Sequence, residues 1–423
     1  MELTAGQQKG LGMVRRLVAS PSHQVAILAG YAGTGKTFLL KTIAETCGMP
    51  VIVAPTGKAA ARVTEMAGLP SMTVHRWLYT PITDPDTGDC TFTRKLPNEM
   101  PCGSIGLLVV EEASMVSRDL WGDILDAAKT LQLKVLLMGD PFQLSPVEPD
   151  ERYRSFSCLD PDVSGACEAT VLTEIQRQAL DNPIIRASML VREGDVEGAL
   201  GLLPLVPSSR FIEKAAEVQR SGGMTLCHKN VTRHWANNGI RRHLGFTDDI
   251  QAGEPVVVLK NNYQLGAYNG NTYQFGKWLD LTPSKHTVYD RRNKVRETTR
   301  FGTANLRDPL SDTPFRAVLA QEELFGRMRA SQHAIAQAAD ISFRDEPMLH
   351  VNLGYCLTCH KAQGSESPIV LVALEPNLRF WGNKKDDALR WLYTAVSRAK
   401  STCYISMGAT APNVLDSTNT VRL

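Results

Sequence analysis

The segment GYAGTGKT, residues 30–37, has the spacing G-x-x-x-x-G-K-T of a phosphate-binding loop. It follows an apolar run and precedes an amphipathic stretch, which is the strand, loop and helix context that the motif requires. The glycines allow backbone N–H groups to fold around phosphate oxygens, Lys36 would reach the β- and γ-phosphates, and Thr37 would bind Mg²⁺. The candidate nucleotide-binding residues in this loop are Gly30, Gly33, Thr34, Gly35, Lys36 and Thr37. The alternative is a glycine-rich turn that binds nothing.

A second stretch, LLVVEEAS (107–114), is an apolar run that ends in two acidic residues. Glu111 would hold Mg²⁺ through water, and Glu112 would orient and deprotonate an attacking water molecule. The alternative is an ordinary solvated acidic pair at the end of a strand. Together with the phosphate-binding loop, these residues indicate an NTPase, a kind of site that serves many different machines.

The segment GYCLTCHKAQGSE (354–366) places Cys356, Cys359 and His360 at the C-x-x-C-H spacing of a c-type haem attachment site. Half of a zinc site and a redox dithiol are the other possibilities for such a pair. No second pair of ligands accompanies it, and the chain has nine widely spread cysteines, an odd number that fits reduced thiols. We therefore expect neither haem nor zinc.

Short apolar runs alternate with amphipathic stretches through the first 150 residues. The predicted strands are QVAILA (24–29), PVIVA (50–54), IGLLVV (105–110) and KVLLMG (134–139). A helix, KTFLLKTIAETC, follows the phosphate-binding loop and can end at Gly48. Continuous apolar strands that alternate with helices predict an α/β fold with a parallel sheet covered on both faces.

The remaining chain predicts a second α/β region and two insertions. Residues 79–103 contain the turn signal PDTGD between alternating residues, which favours an inserted β-hairpin. GEPVVVLK (253–260) and IVLVAL (369–374) are predicted as strands of the second region, and AVLAQEELFGRMRASQHAIAQAA (317–339) as helical. The expected units are a first domain over 1–165 interrupted by 79–103, a second domain over 166–260 and 346–423, and an inserted domain over 261–345.

The composition favours a folded protein without a membrane partner. At roughly 150 residues per domain, 423 residues suggest about three structural units, and 43 % hydrophobic with 21 % charged residues allows a sizeable core. The net charge of +2 neither demands nor excludes a nucleic-acid partner. The N-terminus has no apolar leader, and no run approaches about 18 apolar residues, so we expect a cytoplasmic protein.

Six further motifs occur in a fixed order along the chain. They are VAPTGKAAARV (53–63), TVHRWL (73–78), MGDPFQLSPV (138–147), LTEIQRQ (172–178), LTCHKAQGSE (357–366) and LYTAVSRAK (392–400). With the phosphate-binding loop and EEAS, this set resembles that of a superfamily-one DNA helicase of the RecD/Dda-like 5′-to-3′ branch, over about residues 3–406. HKAQG and VSRAK downstream of GDPFQLSPV carry the resemblance most specifically.

The resemblance implies two tandem RecA-like P-loop NTPase domains with inserted small domains, one of them a strand-separating hairpin. It implies ATP and Mg²⁺ as cofactors and an ATP-dependent helicase that moves 5′ to 3′ on single-stranded DNA and separates duplex strands. Such a chain is expected to act as a monomer on single-stranded DNA and on duplex junctions in a bacterial or phage-infected cell. Replication or recombination proteins are the expected protein partners.

The resemblance also implies roles for residues around the nucleotide. Gln7 would read the adenine edge, which an amide can do because it both donates and accepts hydrogen bonds. Gln143 would sense the γ-phosphate, and Glu366 would contact the ribose. Arg177 and Arg398 would be donated from the second domain to the transferring phosphoryl group. The alternatives are surface salt bridges for the arginines and a solvated position for Glu366.

A further set of residues would contact the nucleic acid. The residues implied to line a single-strand channel are Pro55, Thr56, Thr73, His75, Thr358 and His360. Hydroxyl groups and helix N-termini hold phosphates without reading sequence. Phe92 would stack on the last base pair from the tip of the hairpin. The alternatives are capping or core positions for the threonines and histidines, and simple packing for Phe92.

One position departs from the family pattern, and other functions stay open. Glu111 stands where an aspartate is usual, which moves the carboxylate by about one methylene near a metal that demands strict geometry. We expect the activity to survive this change. A translocase that displaces proteins without separating strands, a nucleotide-gated DNA-binding module, and RNA as the substrate are the alternatives.

Overall fold

The structure of the chain is a computed structural model. It describes residues 3–22, 24–83, 90–146, 148, 150–153, 155–175, 181–247, 249–262, 264–282, 284–309, 312–340, 346–376, 378, 380 and 385–409. The strands within these residues are β1 Val25–Gly30, β2 Val51–Ala54, β3 Met72–Thr73, β4 Tyr79–Thr83, β5 Cys90–Arg94, β6 Leu107–Val110, β7 Lys134–Gly139, β8 Glu168–Leu172, β9 Leu205–Val206, β10 Met224–Cys227, β11 Pro255–Val258, β12 Thr272–Leu281, β13 His286–Asp290, β14 Val295–Thr299, β15 Phe301–Arg307, β16 Pro314–Ala320, β17 Val351–Leu353, β18 Cys356–Thr358, β19 Ser367–Leu374 and β20 Ala399–Met407.

The helices of the same residues connect these strands and cover them. They are α1 Ala5–Ala19, α2 Lys36–Cys47, α3 Gly57–Ala67, α4 Val74–Leu78, α5 Arg118–Thr130, α6 Pro161–Ser164, α7 Pro183–Glu193, α8 Val196–Gly201, α9 Phe211–Arg220, α10 Asn230–His243, α11 Gln321–Leu324, α12 Gln332–Asp340, α13 Cys359–Ala362 and α14 Lys385–Val396. Short 3₁₀ turns occupy Pro97–Glu99, Ala113–Met115, Glu151–Tyr153 and Ser208–Arg210.

The first sheet has six parallel strands in the order β3-β2-β6-β7-β1-β8. The strands VAILAG and LLVV are buried along their whole length, because helices cover both faces of the sheet. Helix α2 begins directly after Gly35 and ends at Gly48, whose N–H donates to the Ala44 carbonyl. The predicted α/β class of this part of the chain is confirmed.

Strand β8 lies at the edge of the first sheet, although the sequence placed the end of the first domain at residue 165. It pairs with β1 in parallel, with Ala26 opposite Glu168 and Gly30 opposite Leu172. Its residues alternate between more and less exposed positions, so it lacks the continuous apolar run that marks the central strands. The first sheet therefore extends to Leu172.

The second sheet is also parallel, in the order β18-β10-β19-β20-β9. The segment IVLVAL lies in strand β19, as the sequence predicts, and MTLC and TCYISM lie in β10 and β20. A large buried cluster that includes Leu226, Val372 and Trp391 packs helices α7, α8 and α14 against this sheet. Two parallel α/β sheets therefore follow one another along the chain.

The third sheet is antiparallel, in the order β16-β15-β12-β11-β17, and it differs from expectation at two places. Strand β11, predicted for the second parallel sheet, pairs with β12 and β17 instead. Residues 317–320, expected to be helical, form the end of β16, and the helical part begins at Gln321. Both differences have one cause, because a short buried apolar run fits either kind of sheet or a buried helix.

Strands β4 and β5 form the predicted antiparallel hairpin, with Tyr79 opposite Arg94 and Pro81 opposite Phe92. The residues that join the two strands, 84–89, lie outside the described residues. The hairpin leaves the first sheet directly after α4, so its base is anchored by a helix whose Trp77 and Leu78 are fully buried.

A buried ion pair fixes the antiparallel sheet to helix α10 of the second domain. Arg241 donates from Nε to one carboxylate oxygen of Glu254 at 2.7 Å and from Nη2 to the other at 3.0 Å. The Tyr355 hydroxyl also donates to Glu254, at 2.8 Å. The carboxylate is fully buried, and among the described residues these groups and the Gln251 N–H compensate its charge.

We expect Glu254→Gln to lower the free energy of unfolding by about 3 kcal/mol, because it leaves a buried guanidinium without its counter-charge. Urea unfolding followed by circular dichroism measures the change. The matched control is Glu213→Gln, which removes the carboxylate of an exposed pair with Arg210 and should leave the midpoint almost unmoved. Equal midpoints for the two variants would contradict a structural role for the buried pair.

Candidate functional site

The phosphate-binding loop follows β1 and needs glycine at three positions. Gly33 and Gly35 have φ values of 79° and 78°, in the left-handed region that favours glycine. A Cβ on Gly30 would lie 2.7 Å from Thr34 Oγ1 and 3.0 Å from Leu172 Cβ, so a side chain there would collide with the loop and with β8. The loop therefore exposes its backbone N–H groups at the start of α2, where anions are favoured.

Lys36 closes the mouth of this loop. Its ammonium group donates to the carbonyls of Gly30 at 2.7 Å and Tyr31 at 3.2 Å. Thr37 follows it, half-buried, in the first turn of α2. Phosphate oxygens are charged and form stronger hydrogen bonds with an ammonium than neutral carbonyls do, so the lysine can exchange these partners for a bound phosphate.

Gln7 is fully buried beneath the loop, and both ends of its amide are bonded to backbone. Its Oε1 accepts from the Thr4 N–H at 3.1 Å, and its Nε2 donates to the Thr34 carbonyl at 3.0 Å. The first bond belongs to the capping box that starts α1. Gln7 thus supports the loop from below, and its contact with adenine stays a prediction.

Glu111 and Glu112 stand at the end of β6, where the chain turns sharply. Glu112 has φ 50°, in the left-handed region, and its N–H donates to Glu111 Oε2 at 2.6 Å. Burial first, and the Glu112 carboxylate second, raise the pKa of Glu111 to about 7 against the opposing effect of Lys36. The positive charge near this carboxyl group therefore does not offset the cost of burying its negative charge.

Asp140 is a third buried carboxyl group beside the loop, and the sequence analysis did not assign it. It follows β7 directly, and burial raises its pKa while nearby Lys36 lowers it. Its Oδ1 accepts from the Phe142 N–H at 2.9 Å, and its Oδ2 accepts from the Tyr393 hydroxyl at 2.5 Å. The sequence pattern that could have identified it is an acidic residue directly after an apolar run, as at Glu111.

Two buried oxygen atoms at the site have no hydrogen-bond partner among the described residues. They are Oε2 of Glu112 and Oε1 of Gln143. Magnesium takes oxygen ligands, keeps several waters, and is usually held by one or two carboxylates with substrate phosphates. The buried carboxyl groups and these two atoms fit a Mg²⁺–nucleotide with its attacking water. No group of three or more histidine, cysteine, aspartate or glutamate side chains in the described part forms an all-protein metal site.

Two of the predicted second-domain residues, Arg398 and Glu366, are engaged within the protein. Arg398 is 2 % exposed and donates to the Thr394 carbonyl at 3.0 Å, the Ser397 hydroxyl at 3.2 Å and the Ser365 carbonyl at 3.3 Å. Glu366 forms an ion pair with Arg62 of the first domain. Arg177 lies outside the described residues. The roles of these three residues toward a nucleotide stay predictions.

Helix α14 of the second domain docks on the phosphate-binding loop and on the loop after β7. The Tyr393 hydroxyl accepts from the Ala32 N–H at 3.0 Å while it donates to Asp140. The Arg192 guanidinium lies 3.9 Å from the centre of the Tyr31 ring. Three more bonds join the domains: Leu144 N–H to Thr394 Oγ1 at 3.0 Å, Arg390 to the Pro141 carbonyl at 2.6 Å, and Gln363 to the Leu144 carbonyl at 2.9 Å.

A cavity of about 250 Å³ lies between the domains and the insertion, and most of the predicted DNA-binding residues line it. Its lining residues are Pro55, Thr56, Gly57, Lys58, Thr73, His75, Met115, Asn261, Tyr268, Asn269, His360, Lys361 and Gln363. His360 also borders a second cavity of about 820 Å³ between the loop after β7 and α14. Thr358 is buried and is not among the residues that line either cavity.

Two of the lining threonines also cap helices. The Thr56 hydroxyl accepts from the Ala59 N–H at 3.2 Å, and the Thr73 hydroxyl accepts from the Arg76 N–H at 3.1 Å. The capping role that the sequence analysis left open is therefore present. It does not exclude a ligand, because a hydroxyl that accepts one bond keeps its own proton to donate.

The 250 Å³ cavity is basic, and none of the described residues that line it is acidic. Burial lowers the pKa of Lys58 and of Lys361 to about 8, and a nearby arginine contributes at Lys361. Burial also lowers the pKa of His75 and of His360. Partly buried ammonium groups that have no carboxylate partner within the described part of the chain favour a negatively charged ligand.

Phe92 extends the cavity lining toward the hairpin. Its side chain is 42 % exposed, and its ring centre lies 6.1 Å from that of His75 and 6.0 Å from that of Tyr79. Phe92 lies within β5, opposite Pro81, and the turn of the hairpin is outside the described residues. A stacking role at the tip stays a prediction, and the exposed ring is available for it.

The two cysteines of the C-x-x-C-H segment are buried structural residues. Cys356 lies on β18 and Cys359 begins α13, where its thiol contacts the Trp391 carbonyl at 3.8 Å. Burial raises the pKa of Cys359 to about 12, which makes the thiol inert. His360 faces the cavities instead.

None of the described helices is long and apolar enough to cross a membrane.

A phosphate-binding loop on one parallel sheet, met across a cleft by helix α14 of a second parallel α/β unit, defines a tandem RecA-like P-loop NTPase. Residues 2–205 match the AAA domain family, and residues 353–406 match the UvrD-like helicase C-terminal domain family. The chain is thus similar to superfamily-one helicases of the RecD-like group in both of its halves.

The chain is similar to several known proteins. It is 27 % identical to the ATP-dependent RecD2 DNA helicase of Deinococcus radiodurans over 416 residues, which cover 92 % of this chain and 48 % of the relative. It is 28 % identical to the RecBCD enzyme subunit RecD of Mycolicibacterium smegmatis over 316 residues, which cover 59 % of this chain and 54 % of the relative. The chain thus spans about half the length of these curated relatives.

Two solved structures share the fold. One is a Pif1 helicase from a structure of DNA unwinding at forked double-stranded DNA by two coordinating Pif1 helicases, with 20 % identity and a TM-score of 0.52. The other is Bacteroides Pif1 bound to single-stranded DNA, with 19 % identity and a TM-score of 0.52. Each match covers 98 % of this chain and 93 % of the other. The predicted fold with two RecA-like domains is confirmed.

We expect the chain to bind a single-stranded oligonucleotide more weakly as the pH rises above 8. Nearby phosphates would raise the pKa of Lys58 and Lys361 above the value of about 8 in the free chain. Binding then requires proton uptake above pH 8, so the affinity is full below that pH and is lost as the pH rises through the higher bound-state value. Fluorescence anisotropy at constant ionic strength should show Kd rising by about tenfold between pH 7 and pH 9.

The control for this titration replaces both lysines with arginine, which stays charged throughout this range. The doubly substituted chain should show a nearly constant Kd. If it keeps the same pH dependence as the unchanged chain, these two lysines do not face the bound phosphates.

Proposed function

We propose that this chain is an ATP-dependent DNA helicase that moves 5′ to 3′ along single-stranded DNA and separates duplex strands. The observation that carries the proposal is the position of two sites at one domain interface. The phosphate-binding loop with its three buried carboxyl groups, and the basic cavity with its aromatic extension, both lie where the second domain meets the first. A motor needs this arrangement, because domain closure must act on the nucleotide and on the strand together.

At the nucleotide, each residue has a proposed task. Lys36 holds the β- and γ-phosphates, and Glu112 takes the proton of the attacking water. Thr37 and Glu111 would hold Mg²⁺, which when bound supplies charge neutralisation for the transferring phosphoryl group. Glu111 is longer than the usual aspartate, and its Oε2 accepts from the Glu112 N–H.

The remaining nucleotide contacts are proposed from the motifs. Gln7 would contact the adenine edge and Glu366 the ribose. Gln143, whose buried Oε1 has no partner among the described residues, would contact the γ-phosphate. Arg177 and Arg398 would reach the phosphoryl group from the second domain. For Arg398 this requires exchange of its present bonds to carbonyls and a hydroxyl, which cost less to replace than a carboxylate partner would.

At the nucleic acid, the proposed contacts are to the backbone and to base faces. Thr56, Thr73 and the ammonium of Lys58 can donate to phosphate oxygens. His75 and Phe92 offer rings on which bases can stack regardless of sequence. A lining of this kind suits a motor that must pass every base.

The direction of movement and the DNA substrate are proposed from the similarity to these helicases. The RecD2 relative is named an ATP-dependent DNA helicase, and the Bacteroides Pif1 structure is described as bound to single-stranded DNA. We extend these properties to the present chain because its nucleotide and channel residues follow the same ordered motifs. A monomer that works with replication or recombination proteins is part of the same proposal.

Unwinding of duplexes with a single-stranded tail on either the 5′ or the 3′ side tests the proposed function. The duplex with the 5′ tail should be separated in the presence of ATP and Mg²⁺, and the duplex with the 3′ tail should remain intact. Unwinding from the 3′ tail alone would contradict the proposed direction. ATP hydrolysis without unwinding of either duplex would favour a translocase.

A further inference from the structure

Helix α3, Gly57–Ala67, begins in the basic cavity. Thr56 caps it, and Gly57 and Lys58 line the cavity with Thr56. The start of the helix is held in place, because a Cβ on Gly57 would lie 2.5 Å from the ring of Tyr268 in the insertion. A phosphate in this cavity would therefore act directly on the first turn of α3, where free N–H groups and the helix dipole favour an anion.

Five residues further along α3, about 7.5 Å along its axis, Arg62 reaches two carboxylates. Its Nη2 forms a direct ion pair with Glu366 of the second domain, and its Nη1 lies 3.8 Å from Glu112 Oε1. The side chain of Arg62 is 29 % exposed, and those of Glu112 and Glu366 are 12 % and 20 % exposed. One guanidinium is thus shared between the two domains, and it is closer to the second.

The second domain also touches α3 directly beside this pair. Gly364 has φ 72°, and a Cβ on it would lie 3.2 Å from both Ala59 Cβ and Thr56 Oγ1. The segment that carries Glu366 therefore packs on the first turn of α3. A shift of α3 against the second domain changes the distance from Arg62 to Glu366, and Glu112 Oε1, 3.8 Å from Nη1, is the other carboxylate within reach of the guanidinium.

We propose that Arg62 is a positioning residue that exchanges Glu366 for Glu112 when a phosphate of single-stranded DNA binds at the start of α3. The proposal rests on the proposed function, in which Glu112 takes the proton of the attacking water. Glu112 Oε2 is buried with no partner among the described residues, so the carboxylate is incompletely held. A closer guanidinium would fix its orientation toward the phosphoryl group. DNA in the cavity would in this way accelerate hydrolysis.

The exchange is physically accessible because the present pair, Arg62 with Glu366, is partly exposed. An ion pair at such a position is screened by water and binds only weakly, so a small movement can transfer the guanidinium from one carboxylate to the other. Lys400, whose Nζ lies 3.9 Å from Glu366 Oε2, remains to neutralise Glu366 after the exchange.

The test compares steady-state ATP turnover with and without poly(dT), at saturating ATP, for four chains. They are the unchanged chain, Arg62→Ala, Arg62→Lys and the control Arg16→Ala, which removes an exposed arginine–glutamate pair from the same domain. Arg62→Ala should lower the ratio of DNA-stimulated to unstimulated turnover by about tenfold, in kcat rather than in KM. Arg62→Lys should give an intermediate ratio, because an ammonium keeps the charge but lacks the planar fork. Arg16→Ala should keep the ratio of the unchanged chain.

A fifth chain, Glu366→Gln, tests the competing partner of Arg62 through the unstimulated rate. It weakens the competing partner of Arg62, so turnover without DNA should rise by about threefold. If Arg62→Ala lowers both rates equally and leaves the ratio unchanged, the residue is merely structural and the inference is overturned. An unchanged chain that hydrolyses ATP without any response to DNA contradicts the proposed function itself, and the inference falls with it.

Discussion

Three buried carboxyl groups share one lysine at the end of the first sheet, and the rest of the site is arranged around that imbalance. Glu111, Glu112 and Asp140 follow two neighbouring strands, and Lys36 stands opposite them on the phosphate-binding loop. Buried acids without sufficient positive charge are costly, which is why burial raises the pKa of Glu111 and of Asp140. The cleft is therefore built for a cation and for the arginines that surrounding elements bring to it.

Helix α14 of the second domain contacts this charge cluster directly. Tyr393 of α14 bonds at once to the Ala32 N–H of the phosphate-binding loop and to Asp140. The same helix holds the loop after β7 through Arg390 and Thr394. The relative position of the two domains is therefore tied to the state of the phosphate-binding loop, which is the physical condition for a nucleotide-driven motor. On the opposite side of the cleft, α3 connects the carboxylates to the basic cavity.

Much of the first domain could be predicted from sequence because its signals are local. Continuous apolar runs identify β1, β2, β6 and β7, and the phosphate-binding loop has a fixed spacing. The sheet to which a strand belongs is not a local property. PVVV in β11 has the same composition as a strand of the parallel sheets, yet it pairs with β12 and β17 in the antiparallel one. Strand β8 is assigned to the first sheet only by its pairing with β1.

Residues that act between domains were the hardest to predict. Arg62 and Tyr393 lie inside quoted motifs and Arg192 lies outside them, but no motif specifies their contacts. Their partners across the domain interface, Glu366, Ala32 and Tyr31, lie more than one hundred residues away in the chain. Their contacts depend on how the two sheets dock. Thr56 and Thr73, by contrast, were predicted to serve as caps or as channel residues, and each caps a helix at the edge of the cavity. Asp140 was recognisable in principle, since it follows a buried strand as Glu111 does.

The most direct measurement is ATP turnover in the presence of Mg²⁺, with and without single-stranded DNA, for the unchanged chain and for Glu112→Gln. The amide keeps the size of the side chain but cannot accept the proton of the attacking water. Turnover of the unchanged chain should rise on addition of DNA, and turnover of Glu112→Gln should fall by at least about a hundredfold under both conditions. Equal turnover by the two chains, or hydrolysis that does not respond to DNA, would contradict a motor in which this carboxylate and the basic cavity work together.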